Sequence, residues 1–255
     1  MASFPRDAVH VFLDLWGVLL DSDTMQREYG RRIAQHMRER FGGDEATWIE
    51  AHNAAWTAYV REAESMDWSA QPWASTVDRL DARFVTEILE RAGVSWRPPD
   101  PVAFSRTLDL ELMATVNARF PDARAAVERL RGAGHRVYVA TQAGDSNARG
   151  SLTGAGLLES LDGVFTGTSQ DARKSGRPYW DGILSTTRLP PAACVLVDDR
   201  IDYLAAADAV GFHALLLDRD GLFEGGAVPP AVRAVLRNLA GLPHYVDTLA
   251  GGMRA

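Results

Sequence analysis

Five short stretches of almost unbroken apolar residues punctuate the chain: HVFLDL (10–15), RVYVAT (136–141), GVFTGT (163–168), ACVLVDD (193–199) and FHALLLD (212–218). Runs of this length, rich in β-branched residues and lacking regular polar alternation, predict strands buried on both faces, as in a parallel sheet. Between them apolar residues recur at helical spacing. PDARAAVERLRGAG (121–134) opens on Pro and closes on Gly, the expected order of start and stop signals. The rhythm is βαβαβ, which predicts an α/β fold built on a doubly wound parallel sheet with helices on both faces. Ligands in such sheets sit at the carboxyl ends of the strands. Asp14, Thr141 and the pair Asp198 and Asp199 all fall at such ends.

From residue 22 to about 115 the pattern changes. No stretch reads as a strand, while REYGRRIAQHMRERF, ATWIEAHNAAWTAYVREAE and VDRLDARFVTEILERAG read as helices, and RPPDP (97–101) marks a rigid break. This predicts a core domain of residues 1–21 and 116–255 with a helical subdomain, 22–115, inserted after the first strand and placed over the sheet's carboxyl edge. Five of the seven tryptophans (48, 56, 68, 73 and 96) lie in the insertion and are expected to form its small core. No internal repeat or low-complexity segment is found.

Composition narrows the function. With 255 residues, 46% apolar and 24% charged, the chain can bury a sizeable core. A net charge of −7 disfavours nucleic acid and anionic membrane as partners. No apolar stretch approaches the ~20 residues that span a bilayer, and the N-terminus lacks a signal-peptide pattern, so a cytoplasmic protein is expected, monomeric or homodimeric. Cys194 is the sole cysteine, set in apolar AACVLV, which reads as a buried core thiol. None of the six histidines has zinc-ligand spacing. Of the 27 basic residues only Lys174 is a lysine. An ammonium differs from a guanidinium in being a compact point charge on a flexible stem, which singles out position 174.

Four features thus occur in order: Asp14 with Gly17 and Val18 after it, Thr141, Lys174 before a helix, and Asp198 with Asp199. Each alone has an ordinary reading as a turn, cap or solvated loop. Together, in DLWGVLLD, VYVATQ, RKSGRPYW and VLVDDRIDYLAAADAVG, the chain resembles the haloacid dehalogenase superfamily over nearly its whole length, and the inserted helices resemble that family's type I cap. The resemblance implies a Rossmann-like core and a hydrolase in which Asp14 is the nucleophile. It implies Mg²⁺ held by Asp14, the Trp16 carbonyl and Asp198 or Asp199, with Lys174 and Thr141 as catalytic partners. Asp202 is the expected outer carboxylate. A small anionic, phosphorylated substrate would meet Trp16, Thr141, Gln142 and Lys174, with Arg27 and Arg31, four apart and so on one helix face, as further candidates. The polar loop GTSQDARKSGRP is expected to place Lys174 only when ligand binds.

One position departs from the family's phosphatases, which carry a second Asp two residues beyond the nucleophile as general acid and base. Here it is Trp16, whose indole N–H donates but accepts no proton. Three readings follow: a phosphohydrolase whose leaving group needs no acid or whose acid is His36, His52, Asp21 or Asp23; a dehalogenase, since those relatives have an aromatic residue there but typically lack the acidic pair; or a weakly active or non-catalytic binder of a phosphorylated ligand. The phosphohydrolase ranks first, because adjacent carboxylates facing Asp14 repel unless a cation joins them.

Overall fold

Every residue of β1 (His10–Leu13) is buried, and the sheet grows from it on both sides. The computed structural model describes residues 8–68, 72–223 and 228–252. After β1 come four helices, α1 (Ser22–Phe41), α2 (Glu45–Ser65), α3 (Trp73–Arg91) and α4 (Pro101–Met113). The chain continues through α5 (Ala123–Gly132), β2 (Arg136–Thr141), α6 (Asp145–Gly154), β3 (Gly163–Thr166), α7 (Gly167–Gln170) and α8 (Arg177–Thr187). It closes with β4 (Cys194–Asp198), α9 (Ile201–Asp208), β5 (His213–Leu217), β6 (Val232–Leu236) and α10 (Leu242–Gly252). Among the described residues no helix is long and apolar enough to cross a membrane.

The six strands lie in the order β3-β2-β1-β4-β5-β6, and every pairing is parallel. Five coincide with the apolar runs. The sixth, β6, is not marked by an apolar run because Arg233, which is exposed, interrupts VRAVL, whose other residues are half-buried. The chain builds β2 and β3 on one side of β1, then crosses to the other for β4, β5 and β6. That reversal opens a crevice at the carboxyl ends of β1 and β4. Leu13 pairs level with Val197, so Asp14 and Asp198 leave the sheet side by side.

Alternate residues of these strands face opposite sides. Phe12, Tyr138, Leu196, Ala214 and Leu216 meet Tyr179, Trp180 and Ile183 of α8 and Leu204 and Ala207 of α9 in one cluster. Phe12 stacks on Tyr138 at 4.9 Å and meets Phe212 at 5.4 Å. Each large apolar side chain buried here contributes roughly 1.5–3 kcal/mol. Elsewhere α5 packs against β2 and against α10.

Contacts divide the chain into two units. One, holding the sheet, comprises the chain up to Asp21, Arg119–Gln142 and the chain from Leu157 on. The other, helical, comprises Ser22–Ala118 and Ala143–Gly156. Within the helical unit α1 packs on α2 and α4, α2 on α3, α3 on α4, and α6 on α4. The Pro-rich break is the start of α4: Asp100 caps it, accepting from the Ala103 amide at 3.0 Å, and Pro101 fills a first-turn position needing no N–H. Trp48 and Trp73 are buried as expected, whereas Trp56 is 37% exposed and stacks on Tyr59. Gly150 and Gly154 let α6 approach α4 backbone to backbone, since a Cβ at Gly154 would collide with the carbonyls of Met113 and Val116.

Each of the four long helices also gives one side chain to a polar knot. Tyr29 of α1 donates to Asp109 of α4 at 2.5 Å, and Tyr59 of α2 hydrogen-bonds to Asp81 of α3. Burial, and then the charge of Asp109, push the Asp81 carboxyl well above its ordinary value; burial does the same to Asp109.

Two outcomes follow for the helical unit. Gly154→Ala is expected to destabilise it by about 1–3 kcal/mol in urea denaturation, whereas Gly132→Ala in α5, where a Cβ meets nothing within 4 Å, should leave stability unchanged or slightly raised. Because the folded acids hold protons that the unfolded chain gives up, their contribution is complete below the ordinary carboxylate value of 3.8 and is lost as pH rises through about 8. The unit should therefore be less stable at about pH 8 than at about pH 5, and Asp81→Asn should flatten that slope. Thermal denaturation across pH checks both.

Candidate active site

Asp14 follows β1 directly and is 5% exposed. Its amide donates to the Val197 carbonyl at 3.0 Å, tying it to β4. The chain then turns sharply. The Leu19 and Leu20 amides both donate to the Leu15 carbonyl, at 3.1 and 2.8 Å, and the Gly17 amide donates to the Leu20 carbonyl at 2.9 Å. Gly17 has φ +75°, in the left-handed region, and a Cβ there would collide with the Asp199 carboxylate. Glycine is thus required twice, by the turn and by the neighbour. Trp16 is half-buried within this turn.

Lys174 is fully buried, and its Nζ lies 2.6 Å from Asp14 Oδ1 and 2.5 Å from Asp198 Oδ2. Its backbone is fixed on both sides: the amide donates to Gln142 Oε1 at 2.6 Å, and the carbonyl accepts from Trp180 Nε1 at 2.8 Å. Next to Trp180, the Tyr179 hydroxyl donates to the carbonyls of Thr141 and Phe165, joining α8 to the ends of β2 and β3. The loop expected to place Lys174 only upon ligand binding already holds it. Burial works against the charged ammonium, but Asp14 and Asp198 outweigh it and its pKa is raised.

Asp198 is also fully buried; Oδ1 accepts from the Arg200 amide at 2.9 Å, and Oδ2 has no partner apart from the ammonium contact. Asp199 is exposed at the rim. Burial, and then the charge of Asp14, raise the Asp199 carboxyl to about 6; burial above all raises that of Asp198. Asp14, Asp198 and Asp199 each offer an oxygen within 4.8 Å of the others'. Three carboxylates against one ammonium leave an excess of negative charge, and hard oxygen donors so arranged suit a divalent cation such as Mg²⁺.

The other candidates stand as follows. Thr141 is buried at the end of β2. Gln142 holds the Lys174 backbone, as above. Arg27 and Arg31 belong to α1 in the helical unit, exposed, and both engage Glu28, at 3.6 and 2.9 Å. His36 is half-buried and His52 buried in that unit; Asp23 is exposed. Asp21, half-buried, ends the first segment of the sheet unit. Asp202 pairs with the Arg200 guanidinium at 3.1 and 3.0 Å.

A family model, haloacid dehalogenase-like hydrolase, matches the chain over residues 9–211, a stretch that contains Asp14, Lys174, Asp198 and Asp199. The chain belongs to the haloacid dehalogenase-like hydrolases. It is 31% identical over 110 residues to Phosphatase MT3486 of Mycobacterium tuberculosis, an overlap of 43% of this chain and 51% of that protein. The chain thus spans about half the length of the curated relative it matches. The HAD-hydrolase YfnB of Bacillus subtilis, solved bound to magnesium, superposes with a TM-score of 0.60 at 12% identity, over 94% of this chain and 99% of YfnB. The L-2-haloacid dehalogenase of Xanthobacter autotrophicus gives 0.58 at 14% identity, over 94% and 99%. Both share the hydrolase fold with this chain.

Trp180, close after Lys174 in RKSGRPYW, both packs in the apolar cluster and grips the Lys174 carbonyl. Arg219, which donates to the carbonyls of Gly17 and Val18, carries no mark in a chain where arginine is the usual base. Lys174→Met leaves Asp14 and Asp198 buried with no counter-charge and is expected to cost about 3–5 kcal/mol. Adding Asp198→Asn should recover part of the loss, as read by urea denaturation of the single and double variants.

Proposed function

We propose that this hydrolase cleaves a small phosphorylated metabolite through an aspartyl-phosphate at Asp14, with Mg²⁺ as cofactor. The observation that carries this reading is the cluster of Asp14, Asp198 and Asp199, the first two in contact with the buried Lys174 ammonium, with more carboxylates than that one ammonium balances. The phosphatase relative and the magnesium-bound YfnB point the same way. Asp14, the Trp16 carbonyl and Asp199 would hold the cation, with Asp198 either joining them or serving to anchor Lys174. When bound, Mg²⁺ neutralises phosphoryl oxygens that would otherwise repel a carboxylate.

Asp14 would attack phosphorus as the P–O bond to the leaving group breaks, that group departing as its own anion, and water would then hydrolyse the aspartyl-phosphate, releasing phosphate and restoring the Asp14 carboxylate. Lys174 keeps Asp14 ionised and screens the incoming anion, while the Thr141 hydroxyl donates to a phosphoryl oxygen. Gln142 sustains Lys174, and Arg27 and Arg31 are candidate contacts for the rest of the substrate. The helical segment 22–115 acts as the cap that sets substrate choice. Trp16 protonates no leaving group and activates no water, so substrates whose leaving group departs unprotonated, such as acyl phosphates, are favoured. The same tryptophan supports a second reading, carbon–halogen cleavage, in which Asp14 displaces a halide that needs no proton.

Phosphate release from a panel of monoesters and acetyl phosphate, with and without Mg²⁺, tests the choice. Turnover should require Mg²⁺, vanish in Asp14→Asn and favour acetyl phosphate over alkyl esters by a factor approaching the ~10²–10⁴ that a general acid supplies. Halide release from 2-chloropropionate without metal, and no phosphate release, would replace this reading with the second.

A further inference from the structure

The turn after Asp14 is gripped from outside by one side chain. Arg219, just beyond β5, donates from Nε to the Gly17 carbonyl at 3.2 Å and from Nη2 to the Val18 carbonyl at 2.8 Å. The rest of the guanidinium meets Asp122 in a two-pronged pair, Nη1 to Oδ2 at 3.1 Å and Nη2 to Oδ1 at 3.0 Å. Asp122 Oδ2 also accepts from the Leu239 amide at 2.7 Å, and the Phe120 ring lies 3.8 Å from the guanidinium carbon. The Phe120 amide in turn donates to the Leu19 carbonyl at 3.0 Å. Arg219 therefore joins the turn to the segments that precede α5 and α10.

The turn needs such an anchor. Val18, Leu19 and Leu20 are fully buried, so carbonyls beside them are removed from water and costly if left without a donor. Arg219 supplies donors to two of them in one plane. A lysine ammonium, a single point, does not reproduce a fork that serves two carbonyls and two carboxylate oxygens at once. The anchored residues are neighbours of Trp16 and include Gly17, against which Asp199 packs.

We propose that Arg219, braced by Asp122, is a positioning residue: it sets the turn that presents the Trp16 carbonyl and seats Asp199 against Gly17, and through that turn it governs cation binding at Asp14 and Asp199. The cation half of this inference rests on the Mg²⁺ reading of the site; the placement of the turn does not. Arg219 touches no reacting atom, and groups that orient ligands from behind typically change metal affinity or activity by ~10–100-fold when removed.

The test labels the protein with 5-fluorotryptophan and follows ¹⁹F resonances, that of Trp16 assigned by Trp16→Phe, without metal and during titration with MgCl₂. Arg219→Lys, Arg219→Met and Asp122→Asn are compared with Arg233→Met, which removes an exposed partner of Asp208. In the Arg219 and Asp122 variants the Trp16 resonance should shift or broaden while those of the five helical-unit tryptophans stay in place, and apparent Mg²⁺ affinity should fall at least ~10-fold. Arg233→Met should match the wild type. If Arg219→Met does not fold, Arg219→Lys and Asp122→Asn decide. A Trp16 resonance unmoved in the folded variants overturns the inference, and so does a general shift of all resonances, which marks a merely structural role. A wild-type protein blind to Mg²⁺ overturns the cation half alone, leaving the turn's placement to be judged by the metal-free spectra.

Discussion

An ammonium buried between two carboxylates ties together the ends of the two central strands. Asp14 and Asp198 emerge side by side because β1 and β4 pair level at the point where the strand order reverses. Two buried carboxylates at such range repel, and desolvation adds to the cost. Lys174 offsets both with contacts of 2.6 and 2.5 Å. Such an ion pair is weak evidence for stability, since desolvating the charges consumes much of their attraction. What it does is hold one cation and two anions in fixed positions at the ends of β1 and β4.

The surrounding scaffold serves that placement from two directions. From the α8 side, Trp180 and Gln142 fix the Lys174 backbone, and Tyr179 binds the ends of β2 and β3 together. From the opposite direction, Arg219 and Asp122 hold the turn that carries Trp16 and Gly17. The aromatic cluster on the α8 and α9 face therefore has a double role. Its burial contributes to folding, and its polar edges, the indole N–H and the phenol, reach backbone carbonyls that hold the site.

The helical unit follows a different physical logic. Its helices meet through apolar and aromatic side chains, yet a Tyr–Asp knot draws on all four long ones. Apolar packing tolerates small shifts between helices, whereas hydrogen bonds to buried carboxylates fix a geometry. The close approach of α6 to α4 at Gly150 and Gly154 adds a steric constraint of the same kind. How four helices pack thus depends on a few polar and glycine positions as well as on bulk burial.

Local pattern was enough to find five strands, to mark the stretch after β1 as helical and to set Asp14, Thr141 and Asp198 at strand ends, because apolar periodicity and strand ends are written in consecutive residues. The departure at Trp16 was legible for the same reason. β6 was not, since the exposed Arg233 interrupts its short apolar run. Nor was the attachment of α6 to the helical unit, which depends on a backbone approach to residues some forty positions away. The roles of Gln142, Trp180 and Arg219 were likewise hidden: they act on backbone groups of distant segments, and a carbonyl looks the same in every residue. The sequence by itself determined which chemical groups exist and at which strand ends they stand. Only the tertiary structure decided which ammonium faces which carboxylate and what holds each in place, because those distances are set by strand pairing and side-chain forks that join segments up to 202 residues apart.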